Sequence, residues 1–334
     1  MRKLGAISIL LSALLAGCAV HEFPETPKEN PVLRLTLTHD QELPFYTNLQ
    51  YTKAGTSGSY QHRHIVNVYE PESDGSYGRS YSQQYVFTDT DLDSLDCTVS
   101  IELPEGGYKF MVWTDFVVRG SQADLFYDTS DFSEIALTDS YEGCNDLRDA
   151  FRGSVEMELS EECDSAEVEL VRPMAKYVFI SEDLEEFITR AIAKAMAENT
   201  KATYEETRAS INLDDYTVLF TYTGYMPCSY NFFTDRPADS ATGMYYYGSL
   251  SQTSDTEAEL GFDYVFVNGS ETSVQVALYV YDKEGDLISS TSVITVPLKR
   301  SGLTTVRGEF LTSEASGGIG IDPSYDGDYN IQID

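Results

Sequence analysis

The sequence predicts an all-β protein: two tandem antiparallel β-sandwiches, with one short amphipathic helix inserted in the second. Three observations predict it. Apolar and polar residues alternate in short runs separated by turn residues along most of the chain. The bulky residues that pleated sheets favour are abundant, with 24 Tyr and 16 Phe among 334 residues. Only one segment repeats its apolar residues with a helical period.

In chain order, residues 1–17 read as a signal peptide. Arg2 and Lys3 form a basic start, and the apolar stretch 4–17 is too short to span a ~30 Å hydrocarbon core. It ends in Leu15-Ala16-Gly17-Cys18, which resembles the lipobox of bacterial lipoproteins. That resemblance implies cleavage before Cys18 and lipidation of its thiol and of the new amino terminus, palmitate being one expected acyl group. Two or three acyl chains, at ~0.8 kcal/mol per buried CH₂, hold a protein to a membrane almost irreversibly. Residues 18–31 then form a lipidated tether, with Pro24, Pro27 and Pro31 interleaved with Glu22 and Glu25 and no apolar period.

Strands follow. Leu33, Leu35 and Leu37 alternate with Arg34, Thr36 and Thr38, and 65–69 is β-branched and aromatic. Val99, Ile101 and Leu103 run into Pro104-Glu105-Gly106-Gly107, after which Tyr108, Phe110 and Val112 face one way and Lys109, Met111 and Trp113 the other. This predicts a hairpin with a loop of about four residues. Val155, Met157 and Leu159 give another strand, and 168–180 a pair broken at Arg172-Pro173. Leu184, Phe187, Ile188, Ala191, Ile192 and Ala195 make an apolar stripe, predicting a helix near 182–198 with Ser181 as its N-cap. Strands resume at 218–220, 262–267, 274–281, 293–298 and 305–311, with a last one at 329–333. The expected division is a sandwich over 32–171 and a second over 172–334.

Composition narrows the function. Fifty-five Asp and Glu against 22 Lys and Arg leave a net charge of −33, which excludes a nucleic-acid partner because phosphate neutralisation needs clustered bases. No run beyond the leader approaches a membrane span. Cys97, Cys144, Cys163 and Cys228 allow three disulfide pairings that the sequence does not separate. His62 and His64 would share a strand face, but with only His21 and His39 besides, a zinc set is short of ligands. An exposed face beside Arg63 is the simpler expectation. There is no G-x-S-x-G elbow, no phosphate loop and no EF-hand order in the Gly- and Asp-rich end. No enzyme activity, metal or cofactor is expected. Tyr245, Tyr246 and Tyr247 are candidate stacking residues for a glycan.

Several segments together resemble the fimbrillin-like lipoproteins of the Bacteroides group, which include the FimB-type fimbrial anchor and assembly subunits. They are Leu103-Pro104-Glu105-Gly106 with Val112-Trp113-Thr114-Asp115, Arg148-Asp149-Ala150-Phe151-Arg152-Gly153, and Arg172-Pro173-Met174-Ala175-Lys176. Tyr222-Thr223-Gly224-Tyr225-Met226-Pro227 and Gly318-Ile319-Gly320-Ile321-Asp322-Pro323 complete the set. The resemblance implies two transthyretin-like sandwiches, with Trp113 filling the first core and Arg172-Pro173 opening a strand at the junction. It also implies assembly at the outer membrane through other fimbrial or envelope proteins, the chain acting as fimbrial anchor, assembly subunit or adhesin. A surface glycan-binding lipoprotein beside a polysaccharide-uptake system is the alternative.

Overall fold

The computed structural model describes residues 30–39, 59–89, 96–198, 201–313 and 329–333. The expected leader, Cys18, most of the tether and the Gly318-to-Pro323 motif lie outside them. Among the described residues strands dominate, in open sheets, with two short α-helices.

Two sheets enclose a first core. One orders Cys97–Glu102, Val32–His39 and Ser165–Leu170, and the other orders Gln83–Asp89, Tyr60–Tyr69, Gly106–Val118 and Phe151–Leu159. Leu33, Leu35 and Leu37 meet Val66, Val68, Phe110 and Val112 between them, so the alternation in the sequence marks the inward face of each strand. Val32–His39 runs parallel to Ser165–Leu170, a departure from the antiparallel expectation. The long chain between them supplies the crossover that a parallel pair requires.

Pro104-Glu105-Gly106-Gly107 does not close a hairpin. Cys97–Glu102 pairs with Val32–His39, whereas Gly106–Val118 pairs with Tyr60–Tyr69 and Phe151–Leu159, so the turn carries the chain from one layer to the other. Turn residues suit either outcome. What decides is which sheet buries each apolar face.

A second core lies between two further sheets. One orders Ser251–Gln252, Ala258–Phe266, Met174–Ser181, Leu303–Gly308 and Tyr329–Ile333. The other orders Tyr245–Ser249, Thr217–Tyr222, Glu271–Tyr281 and Leu287–Ser290, with Ile294–Lys299 also paired to Glu271–Tyr281. Phe179, Val218, Phe220, Leu260, Val276 and Leu278 fill the space between. Helix α1 (Leu184–Glu198) adds Leu184 and Phe187 to this core, as its stripe predicts. Its cap differs from expectation: Ser181 is the last residue of a strand, and its hydroxyl donates to Asp183. The Asp183 carbonyl accepts from the Phe187 N–H at 2.9 Å, and its carboxylate accepts from the Thr312 N–H at 2.8 Å. A second helix, α2 (Tyr204–Ser210), goes beyond the single one expected. Thr203 and Glu206 close a capping box over it, a T-x-x-E signal present in the sequence.

A third apolar cluster joins the two sandwiches. Ile65, Met111 and Trp113, on the outer face of the four-stranded sheet, meet Tyr127, Phe132 and Ile135 together with Met174, Tyr230, Tyr264 and Phe266. A small sheet of Arg236–Pro237, Ser229–Asn231, Ile135–Leu137 and Tyr127–Asp128 crosses the same join. Trp113 therefore does not fill the first core. It is fully buried at the join, with ring centroids 5.5 Å from Tyr127 and 6.3 Å from Tyr230. The exposed face expected at 62–64 is corrected as well: His62, Arg63 and His64 are all buried, Arg63 on the face of Ile65 under this cover and the two histidines on the face of Val66 and Val68. Asp115 grips Arg63 at 2.9 and 2.6 Å, and Asp124 accepts from it at 2.7 Å.

Candidate functional site

The charged motifs of the sequence converge on the join and seal it. The Arg172 guanidinium donates to both oxygens of Asp149, at 2.7 and 2.6 Å, with neither side chain more than 2% exposed. Arg148 pairs with the buried Asp263 and donates to the Tyr264 carbonyl at 3.2 Å. Lys176 reaches Asp146 at 2.6 Å, and the Tyr264 hydroxyl donates to the same carboxylate at 2.8 Å. Burial pushes the Asp149 carboxyl up, against the opposing charge of Arg172. At the rim, Asp235 bridges Arg152 at 2.6 Å and Arg300 at 2.7 Å. Burial raises its carboxyl, but the Tyr230 hydroxyl and the two arginines outweigh that and hold it below the usual range. Gly153 is required by close approach, since a Cβ there would lie 2.5 Å from the Glu169 carbonyl oxygen. These residues build the junction.

An open cleft of about 530 Å³ lies beside it. One wall is the 138–143 loop, and the other is the run from Gly243 to Tyr247. The three tyrosines do not act alike, because side chains alternate along a strand. Tyr245 and Tyr247 face outward, 55% and 60% exposed, whereas Tyr246 turns inward at 3%. Tyr246 stacks on Phe220 at 4.6 Å, and its hydroxyl donates to Tyr177 at 3.2 Å, so it is no stacking surface for a ligand. The loop wall is fixed from behind. The Tyr141 hydroxyl donates to Asp263 at 2.8 Å, and the Arg148 guanidinium lies over its ring at 4.5 Å. Gly143 sits so close to Tyr246 that a Cβ would come within 2.1 Å of the ring.

No group of three or more His, Cys, Asp or Glu placed to hold a metal occurs among the described residues. His62 and His64 lie near one another, ring centroids 6.3 Å apart, and the His64 Nδ1 is 2.9 Å from the Thr114 hydroxyl. The four described cysteines are free thiols, so no disulfide pairing forms among them. Burial pushes the Cys97 thiol up to about 11 and the Cys144 thiol up to about 12. No helix among the described residues is long and apolar enough to cross a membrane. The sequence missed the cleft because its loop wall carries no motif; the Tyr-rich strand was the one readable signal.

One family model matches residues 26–334. The chain belongs to a family of unknown function, DUF6562. No curated protein matches this member of the family. Among solved structures it is similar to a candidate cell-adhesion protein from Bacteroides ovatus, at 12% identity and a TM-score of 0.44, covering 84% of this chain and 92% of that one. It is also similar to the fimbrial anchor protein Mfa2 from Porphyromonas gingivalis, at 13% identity and a TM-score of 0.35, covering 78% and 81%. A third is a candidate polysaccharide-binding protein from Bacteroides thetaiotaomicron, at 12% identity and 0.41, covering 77% and 79%. At TM-scores below 0.5, these likenesses say nothing of ligand or partner.

Proposed function

We propose that this DUF6562 member is a lipid-anchored protein of the outer-membrane surface, of fimbrillin type, acting as fimbrial anchor, assembly subunit or adhesin through contacts with other envelope proteins. In this reading residues 1–17 are removed, Cys18 carries the acyl chains, and 18–31 tether transthyretin-like sandwiches over 32–171 and 172–334. The observation that carries it is the Leu15-Ala16-Gly17-Cys18 sequence behind a basic start and a 14-residue apolar stretch. The charged motifs support it as signatures of architecture, since Arg148, Asp149, Arg172 and Lys176 hold the join and leave function to surfaces. No catalysis is part of the proposal.

Protease shaving of intact cells tests it. The expected result is that antibody-detected protein disappears from intact cells and that fragments enter the medium. Full protection until the outer membrane is breached would refute the outward orientation.

The alternative reading, a surface glycan-binding lipoprotein, is favoured by one specific observation: Tyr245 and Tyr247 stand exposed at the mouth of a preformed cleft.

A further inference from the structure

We propose that the outer face of the Tyr245–Ser249, Thr217–Tyr222 and Glu271–Tyr281 strands, together with the cleft at its edge, binds a neutral glycan. The proposal deepens the glycan-binding reading and needs only that the protein face outward. Three cross-strand rows define the surface. Tyr247 pairs with Leu219, which pairs with Tyr279; Tyr245 pairs with Thr221 and then Ala277; Ser249 pairs with Thr217 and then Tyr281. Their alternates Tyr246, Val218, Phe220, Val276, Leu278 and Val280 lie in the second core, so the nine residues named in the rows point away from it. Each row crosses two strand spacings, about 10 Å, and Tyr245 and Tyr247 are exposed among the described residues.

The face is poor in charge, with Glu271 at the far end of its third strand the charged outward position on the three strands. Of the whole chain, 23% is Asp, Glu, Lys or Arg, yet none of the nine row positions is charged. What they offer instead is the exposed Tyr245 and Tyr247, the half-buried Tyr279 and Tyr281, and three hydroxyl side chains, with Ala277 buried between them. A sugar ring presents C–H groups on its faces and hydroxyls on its rim, and a Tyr-and-Thr surface matches both. The cleft wall adds Asp139 and Glu142 as hydrogen-bond acceptors for sugar hydroxyls and, among the described residues, contributes no Lys or Arg. Uronate or sulfate groups would meet carboxylates there without a counter-charge, so the ligand is neutral. A second copy of this chain is the poorer occupant, because two molecules of charge −33 repel. The site is preformed: Gly143 against Tyr246, and Tyr141 on Asp263, fix the two walls before any ligand arrives.

Affinity electrophoresis of the full chain in detergent tests this, with gels containing mannan, galactomannan or mixed-linkage β-glucan, and polygalacturonate as the anionic probe. The expected result is retardation by at least one neutral polysaccharide and none by polygalacturonate. Tyr247→Ala and Tyr245→Ala each weaken the retardation by roughly tenfold, as losing an aromatic contact should. Tyr81→Ala, an exposed tyrosine outside the rows, leaves it unchanged. Thermal midpoints of the variants match the parent, which separates lost binding from lost fold. Three results each overturn the proposal: no neutral polysaccharide retards the protein, polygalacturonate retards it equally, or the Tyr245 and Tyr247 variants bind like the parent. Dimers that those variants dissolve would overturn it in favour of a self-contact. Cell-shaving results are independent of all these outcomes, so a failure here leaves the anchorage reading standing.

Discussion

Arg172→Met leaves the Asp149 carboxylate buried without its partner. Both side chains are at most 2% exposed, and the pair is held by short bonds to both carboxylate oxygens. Solvent cannot replace the guanidinium, so the loss is that of a broken buried pair, about 3–5 kcal/mol. At roughly 2–4 °C per kcal/mol for a domain of this size, the thermal midpoint should fall by about 6–20 °C. The double variant Arg172→Met with Asp149→Leu removes both charges, and it should recover most of that loss. There is a pH signature as well. Burial already pushes the Asp149 carboxyl up; without Arg172 it rises further, and the folded state then holds a proton that the unfolded state releases. Stability of the single variant should therefore increase as pH falls from about 8 toward 5, narrowing its gap to the parent. Calorimetry of the three proteins at both pH values is the assay. A single-variant loss under about 1 kcal/mol, or a double variant worse than the single, would refute the claim that this motif pair seals the join.

Three further outcomes are expected. Trp113 is the chain's one tryptophan, so its emission reports on the join: Tyr230→Ala, from the later half of the chain, should shift it to longer wavelength, and an unchanged spectrum would contradict the contact. Asp235 is held below the usual carboxylate range by Tyr230, Arg300 and Arg152. Its contribution is present above the unfolded value of about 3.9 and lost as pH falls through the lower folded one. Between about pH 5 and 3 the parent's midpoint should drop more steeply than that of Asp235→Asn; parallel curves would argue against it. Gly143→Ala drives a methyl into the Tyr246 ring and should cost about 1–3 kcal/mol by overpacking, whereas an unchanged midpoint in calorimetry would mean that the loop does not rest on that ring.

Much of this fold is legible residue by residue. Leu33-Leu35-Leu37 and Tyr108-Phe110-Val112 alternate because one face of each strand is core, and the core receives those residues. The α1 stripe reads as clearly, since Leu184, Phe187 and Ile192 are its buried positions. What alternation does not encode is the partner. The turn at Pro104 to Gly107 looks the same whether it closes a hairpin or crosses between layers. The strand Tyr60–Tyr69 is covered on its second face by side chains that arrive more than fifty residues later, so nothing local marks Arg63 as interior, while His62 and His64 share the inward face of Val66 and Val68. The same long-range cover puts Trp113 in the join. At the cleft, three consecutive tyrosines look equivalent as composition, but the two-residue period of a strand leaves only Tyr245 and Tyr247 outside. The period was available in the sequence. The loop that forms the other wall was not, because it is brought there by the part-buried Tyr141–Asp263 contact across 122 positions of chain.

The proposed function requires attachment to a membrane through the eighteenth residue, Cys18. Intact-mass and peptide mass spectrometry of protein extracted from its native cells tests this most directly. The predicted mature chain begins at Cys18, with a thioether-linked diacylglycerol on its sulfur and an acyl group on its amino end. A native chain that still carries residues 1–17, or that begins elsewhere with an unmodified Cys18, would contradict the account.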